Sequence, residues 1–158
     1  MKPIVYLLCG LPGSGKTNYA KKLEAGGALR LTVDEELFRR HGKDLDAQHI
    51  DQYKQEIKLD FKGLLEKAVK EGKSVALDYG FWKKLERDEY KQLAESVGAQ
   101  WELLFFDMPL ETLMLRIAER NITDPTSNHI ISKELLEKFS TQLESPNGEG
   151  EEIIASQE

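Results

Sequence analysis

The most constraining feature of this chain is a short apolar run joined directly to a glycine-rich octapeptide. Residues Ile4 to Cys9 are continuously apolar and rich in β-branched and bulky side chains, as in a strand buried on both faces. Gly-Leu-Pro-Gly-Ser-Gly-Lys-Thr follows at positions 10–17, and a segment of helical period begins at Lys16. The octapeptide is a complete G-x-x-x-x-G-K-[ST] match, and strand, loop and helix stand in the order that a phosphate-binding loop requires.

The residue types in this loop explain its chemistry. Gly10, Gly13 and Gly15 let the backbone turn its N–H groups inward as an anion nest, and the following helix adds its partial positive end. Lys16 is predicted to reach the β- and γ-phosphates, and the Thr17 hydroxyl to bind Mg²⁺. The alternative is a glycine-rich turn with a chance lysine, which the matching context disfavours. The residues predicted to bind ATP here are Gly10, Leu11, Pro12, Gly13, Ser14, Gly15, Lys16 and Thr17.

Strand-length and helix-length segments alternate along the rest of the chain. Predicted strands are Ile4–Cys9, Ala28–Val33, Ser74–Leu77, Trp101–Phe106 and a possible Glu151–Ala155. Predicted helices are Lys16–Ala25, a long stretch that closes at Gly72, Lys83–Val97, Leu110–Glu119 and Lys133–Leu143. Such alternation predicts a parallel sheet with helices on both faces, a three-layer α/β fold. The chain has 158 residues, so one domain over 1–158 is expected.

Composition excludes several classes of protein. One cysteine, Cys9, allows neither an internal disulfide nor a cysteine-based zinc site, and it is expected to be a small buried residue. The formal net charge is −6, but five acids and no Lys or Arg lie from Glu144 onward, so the remainder is close to neutral. This balance argues against broad binding to nucleic acid or to an anionic membrane. No segment is long and apolar enough to span a bilayer, and a cytoplasmic location is expected.

The first glycine of the phosphate loop and three aspartates stand where the predicted strands end. Gly10, Asp34, Asp78 and Asp107 each stand at or just after the carboxyl end of a strand. In open α/β sheets, ligands bind beyond these ends. The sequence therefore predicts an active site at this edge, with Asp107 interpreted as structural because Pro109 follows it at a helix start.

Several features favour a small kinase over other users of a phosphate loop. The chain is short for a large ATPase, and it lacks the Asn-Lys-x-Asp motif that reads guanine. Arg116 and Arg120 are four residues apart, hence on one helix face, just before the polar loop Asn121–Ser132. They are predicted to serve a short lid at about 120–132 and to neutralise charge on the transferring phosphoryl group. The alternative is a surface helix whose arginines pair with Glu111 or Glu119.

Five segments together carry a resemblance to a known family. GLPGSGKT, LTVDEELFRR, ALDYGFWKKLERDEY, LRIAERN and FSTQLESPNGEGEEI resemble the P-loop kinase-like ATP-binding proteins of the AAA-type grouping. That grouping is related to chloramphenicol phosphotransferase, zeta toxin, gluconate kinase and the kinase domain of polynucleotide kinase. The resemblance covers nearly the whole chain. It implies the P-loop NTPase fold, with a five-stranded parallel sheet in the order 2-3-1-4-5.

The resemblance also implies roles for three residues. Asp34 stands where related phosphotransferases keep an aspartate that contacts the acceptor hydroxyl as general base, although an aspartate here could instead cap a helix. Asp78 is similar to an aspartate that holds Mg²⁺ or binds the acceptor, with a turn residue as the alternative. Arg87 resembles a substrate-side arginine, with a surface ion pair to Glu86 or Asp88 as the alternative.

The sequence thus predicts an ATP- and Mg²⁺-dependent phosphotransferase that moves the γ-phosphoryl group to a hydroxyl of a small molecule. Lys16, Asp34, Arg116 and Arg120 are its predicted catalytic residues, and Arg116 is also expected to contact ATP. Thr17 and Asp78 are the predicted metal ligands, and Asp34, Asp78 and Arg87 the predicted acceptor-binding residues. Two other functions stay open: a polynucleotide 5′-hydroxyl kinase, and a nucleotide-binding module with weak ATPase activity. Phe81 and Trp82 are expected either to line the acceptor pocket or to belong to the core.

Overall fold

The fold is built on one parallel sheet. The structure is a computed structural model, and it describes residues 2–42, 46–123 and 131–154. The five strands are β1 (Ile4–Cys9), β2 (Leu29–Thr32), β3 (Val75–Gly80), β4 (Gln100–Phe105) and β5 (Glu151–Ile153). All pairings are parallel and the strand order is β2-β3-β1-β4-β5, so the predicted order is confirmed.

Six α-helices are described. They are α1 (Lys16–Ala25), α2 (Val33–His41), α3 (Ile50–Lys70), α4 (Lys84–Ser96), α5 (Leu110–Thr123) and α6 (Lys133–Gln142), with a 3-10 turn at Ala47–His49. α3 and α4 stop just before Gly72 and Gly98, whose φ angles of 80° and 87° lie in the left-handed region that glycine tolerates. Among the described residues, no helix is long and apolar enough to cross a membrane.

Successive side chains of β1 point to opposite faces of the sheet, and both faces are covered. Val5, Leu7 and Cys9 pack on one face in a large cluster that includes the inner faces of α3 and α4. Leu8 points to the other face, where Ala20 of α1 packs. A central parallel strand must be apolar on both sides for this reason, which is why the Ile4–Cys9 run is continuous rather than alternating. A smaller cluster joins the phosphate loop to α5 and α6.

Element boundaries differ from the predictions around the expected site. β2 ends at Thr32 and α2 starts at Val33, so Asp34 lies in the first helical turn rather than at the end of a strand. β3 continues through Asp78 to Gly80, so the interpretation of Asp78 as a turn residue was wrong. The differences in these boundaries are small. Polar residues in the sequence indicate roughly where a strand ends, but they do not show which residue makes the last hydrogen bond of the strand.

The predicted lid is only partly described. α5 continues to Thr123, three residues into the segment expected to be a loop. Residues 124–130, which hold most of the predicted lid, lie outside the described residues, as does the predicted strand end at Ala155.

Candidate functional site

The phosphate loop connects β1 to α1 at the carboxyl edge of the sheet. Gly13 and Gly15 have φ angles of 84° and 99°, so both use conformations that other residues adopt only with strain. Gly15 is the N-cap of α1 and makes no side-chain cap bond. The first N–H groups of α1 therefore lack a side-chain cap, which is the arrangement that accommodates a phosphate.

Lys16 folds back over this loop, and its Nζ donates to the Leu11 carbonyl at 3.1 Å. Burial is the main cause that lowers the pKa of Lys16, and the carboxylates of Asp78 and then Asp34 oppose this shift. The Lys16 side-chain nitrogen is thus held in a site poor in water but within electrostatic reach of two acids. A bound triphosphate would supply the anionic partner that such a buried ammonium requires.

Thr17 and Asp78 meet directly beneath the loop. The Thr17 hydroxyl donates to Asp78 Oδ2 at 2.7 Å, and Asp78 is buried. A hydroxyl and a carboxylate oxygen are ligands that Mg²⁺ accepts, so this pair fits the predicted metal. In the part of the chain that the structure describes, no cluster of three or more His, Cys, Asp or Glu side chains could hold a metal.

Asp34 lies in the first turn of α2 with its carboxylate half exposed, and Lys54 of α3 approaches it to 3.8 Å. Thr32, not Asp34, occupies the N-cap position of α2, so the capping alternative for Asp34 was wrong. The Asp34 carboxylate is therefore reached by solvent. Lys54 was not predicted from the sequence.

Arg116 and Arg120 both lie near the phosphate loop. Arg116 Nη1 donates to the Gly13 carbonyl at 3.2 Å. Arg120 contributes to the lowered pKa of Lys16, and its Nε and Nη2 atoms are buried. α5 therefore brings two guanidinium groups towards the place where the phosphates of a nucleotide would lie.

Arg87 has surroundings other than those predicted. Its side chain is buried, and Nε and Nη2 donate to the two carboxylate oxygens of Glu149 at 2.8 and 2.9 Å. The alternative for Arg87, a surface ion pair with Glu86 or Asp88, was wrong, because these acids pair with Lys58 and Lys84. A guanidinium enclosed in this way favours a structural role over contact with an acceptor.

The two aromatic residues after β3 divide between core and loop. Phe81 is a core residue, 1% exposed. Trp82 is half-buried, and its Nε1 donates to the Gly10 carbonyl at 3.0 Å, so the indole contacts the phosphate loop itself.

Cys9 is buried as predicted. Burial is the main cause that raises its pKa to about 11, and its thiol donates to the Phe81 carbonyl at 3.3 Å. Asp107 is exposed at the end of β4.

Sequence comparison decides the family. A model of the AAA domain family matches residues 5–146, which include the phosphate loop, Asp34, Asp78 and both α5 arginines. The chain belongs to this P-loop kinase-like family. No curated protein matches it.

Solved structures with the same fold include proteins of several kinds. This P-loop kinase-like chain is similar to one in the Pnkp1/Rnl/Hen1 RNA repair complex, with 23% identity and a TM-score of 0.73 over 89% of this chain and 44% of that one. It spans less than half of that relative's length. A gluconokinase from Sinorhizobium meliloti 1021 is 18% identical, with a TM-score of 0.62 over 99% of this chain and 83% of its own. Kti12 from Chaetomium thermophilum, in complex with ADP-AlF3, is 17% identical, with a TM-score of 0.69 over 97% and 89% of the two chains. These similarities are similarities of fold.

Sequence reasoning missed three contributors to the site of this family member. Lys54 and Thr32 approach the two aspartates, since Thr32 Oγ1 lies 3.5 Å from Asp78 Oδ2. Glu149 holds Arg87 from the far end of the chain. Thr32 could have been found, because it ends a strand beside Asp78 in a parallel sheet. Nothing in local spacing marks Lys54 or Glu149.

Proposed function

We propose that this protein is an ATP- and Mg²⁺-dependent phosphotransferase that transfers the γ-phosphoryl group to a hydroxyl of a small molecule. The observation that carries the proposal is the placement of Asp34. Its carboxylate is half exposed and within electrostatic reach of the phosphate-loop lysine Lys16. A module that only bound nucleotide would have no need of an accessible carboxylate at that position.

The chemistry assigned to these residues is an in-line transfer. Asp34 accepts the proton of the acceptor hydroxyl as its oxygen forms a bond to the γ-phosphorus. The bond from that phosphorus to the β–γ bridging oxygen breaks, and ADP leaves with the electron pair. Lys16, Arg116 and Arg120 neutralise the charge that spreads over the phosphoryl oxygens.

Two further residues would hold the metal. Thr17 and Asp78 offer Mg²⁺ one hydroxyl and one carboxylate, and the ion supplies positive charge to the phosphate oxygens when it is bound. The short contact between the two side chains keeps them oriented before nucleotide arrives.

The test is ADP release from Mg-ATP in the presence of sugars, aminoglycosides, nucleosides and 5′-hydroxyl oligonucleotides. We expect at least one small hydroxyl compound to stimulate release, and Asp34→Asn to remove the stimulation while ADP binding persists. Asp51→Asn is the matched control, since Asp51 is also an exposed acid in the first turn of a helix. A panel with no stimulation, or full stimulation in Asp34→Asn, would contradict the proposal.

A second candidate is a polynucleotide 5′-hydroxyl kinase, favoured by the fold shared with a chain of the Pnkp1/Rnl/Hen1 complex. Charge argues against it. The three short basic clusters of the sequence are Lys21-Lys22, Arg39-Arg40 and Lys83-Lys84. Arg39 and Arg40 pair with Glu36, and Lys84 pairs with Asp88, so acids lie beside two of these clusters. Stimulation by oligonucleotides alone, weakened by added salt, would select this candidate.

A further inference from the structure

The chain makes an unusual bend directly after β3. Gly80 has a φ of 88° and Phe81 a φ of 48°, and among the described residues Phe81 is the one non-glycine residue with a positive φ. A bulky aromatic residue adopts this conformation only where its surroundings hold it there. The contacts of the Phe81 peptide group therefore show what holds the bend.

The Phe81 carbonyl accepts two hydrogen bonds inside the core. Arg87 Nη1 donates to it at 2.8 Å, and the Cys9 thiol donates at 3.3 Å. The other two guanidinium nitrogens, Nε and Nη2, donate to the two carboxylate oxygens of Glu149, whose side chain is 7% exposed. Lys91 fixes this residue further, since its Nζ donates to the Glu149 carbonyl at 2.6 Å.

The outer side of the same bend holds the phosphate loop. The Gly10 N–H donates to the Gly80 carbonyl at 3.0 Å, and Trp82 Nε1 donates to the Gly10 carbonyl at 3.0 Å. Both polar backbone groups of the first loop residue are thus bonded to the bend. The Trp82 carbonyl in turn accepts from the Glu144 N–H at 2.8 Å.

We propose that Arg87 and Glu149 are positioning residues for nucleotide binding. Their buried ion pair fixes the Phe81 carbonyl, the fixed bend presents the Trp82 indole and the Gly80 carbonyl to Gly10, and Gly10 thereby starts the phosphate loop in its anion-binding shape. The segment 144–149 lies far from the phosphate loop in the sequence, yet it controls the affinity of that loop for nucleotide. The inference rests on nucleotide binding at this loop and not on the transfer step.

The test compares ADP affinity by calorimetry in Glu149→Gln, Arg87→Lys and Trp82→Phe. A lysine at position 87 keeps the charge but cannot bind both carboxylate oxygens and the Phe81 carbonyl at once. Phenylalanine at position 82 removes only the hydrogen bond to Gly10 and keeps an aromatic ring. We expect each variant to bind ADP roughly five- to tenfold more weakly, in the range of ordinary couplings between linked sites.

A merely structural ion pair would lower stability without lowering affinity. Leu104→Ala is the matched control, because Leu104 is a buried β4 residue in the cluster on the other face of the sheet from Phe81, and its truncation destabilises the core. It should bind ADP as the unaltered protein does at a temperature where both are folded. The proposal would be overturned if Trp82→Phe, and either ion-pair variant that folds, bound ADP as tightly as the unaltered protein does.

A measurement on the unaltered protein decides the question even if the ion-pair variants do not fold. Coupling is reciprocal, so ADP must stabilise the segment that positions its loop. Saturating ADP should slow hydrogen exchange of the Glu144 amide, which bonds to Trp82, more than that of the Ala99 amide, which bonds within the chain near the far end of α4. Unchanged exchange at Glu144 with ADP bound would contradict the proposal. Loss of acceptor-stimulated turnover with these results intact would refute only the proposed transfer.

Discussion

The Thr17 hydroxyl and the Asp78 carboxylate are joined by a 2.7 Å hydrogen bond that bridges the phosphate loop and β3. One residue comes from the nucleotide-binding motif, and the other from the neighbouring strand of the sheet. The bond therefore links the two structural elements that would share a metal ion. It also gives the metal proposal a property that can be measured separately from catalysis.

Replacing Asp78 should change the dependence of nucleotide binding on Mg²⁺. Asp78→Asn keeps an acceptor for the Thr17 hydroxyl but removes the negative charge. We expect the Mg²⁺ concentration that half-saturates the enhancement of ATP binding to rise roughly 10- to 100-fold, as for other changes to metal ligand shells. Calorimetric titrations at several Mg²⁺ concentrations would measure this. Asp107→Asn, at the exposed end of β4, is the control, and identical Mg²⁺ curves for both variants would refute the metal role.

Lys16 should strengthen nucleotide binding but lower the stability of the folded protein. Because burial lowers the pKa of Lys16, the unfolded chain holds this proton more tightly than the folded one does. We expect Lys16→Met to raise the free energy of unfolding without nucleotide by about 1 kcal/mol and to abolish ADP binding. Urea unfolding and calorimetry would measure the two effects. Lys21→Met, on the exposed side of α1, should change neither, and a destabilised Lys16→Met would contradict the prediction.

The Cys9 thiol should resist alkylation in the folded protein. Burial holds the pKa of Cys9 near 11, so little thiolate exists at pH 8.5. Iodoacetamide should therefore modify the native protein far more slowly than the urea-denatured chain, followed by mass spectrometry. A raised pKa stabilises the fold below the ordinary cysteine pKa, and this contribution disappears as the pH rises through about 11. Equal rates in the two states would show that Cys9 is accessible.

Glu149 should contribute stability that acid removes. Its pKa is lowered chiefly by the hydrogen bonds from Arg87, so its contribution is present above the ordinary glutamate pKa and is lost as the pH falls through the lower, folded value. Near neutral pH the free energy of unfolding of Glu149→Gln should be about 2–3 kcal/mol lower than that of the unaltered protein, and the difference should shrink below about pH 4.5. Urea unfolding from pH 3 to 7 would measure it. Glu137→Gln, an exposed change in α6, should have no such pH dependence, and a constant deficit in Glu149→Gln would contradict the prediction.

The sequence predicted the sheet and the loop well because both rest on local patterns. A continuous apolar run, a glycine spacing and a helix are readable within the first 25 residues. The strand-end rule then brought Asp34 and Asp78 to the same edge as Lys16, and the electrostatic effect of both acids on Lys16 agrees with that.

The rest of the site depends on side chains that meet across long stretches of chain. The family resemblance predicts Arg87 at the acceptor, but its partner Glu149 lies 62 residues away in the sequence, where no local pattern marks the pair. Lys54 reaches Asp34 only because α2 and α3 pack as neighbours. Such pairings follow from packing geometry, which neither composition nor periodicity records.

The central position of β1 has a consequence for how the chain folds. Val5 pairs with Val75, and Leu7 with Leu103, so β1 is synthesised before both of its partners and completes its ladder only after β4 has been made. At 5–20 residues per second, an unpaired apolar strand waits roughly 5–20 s on a ribosome. Contacts this distant in sequence also slow folding relative to a helical bundle of equal length. During its synthesis the chain therefore carries an unpaired apolar strand of the kind that aggregates.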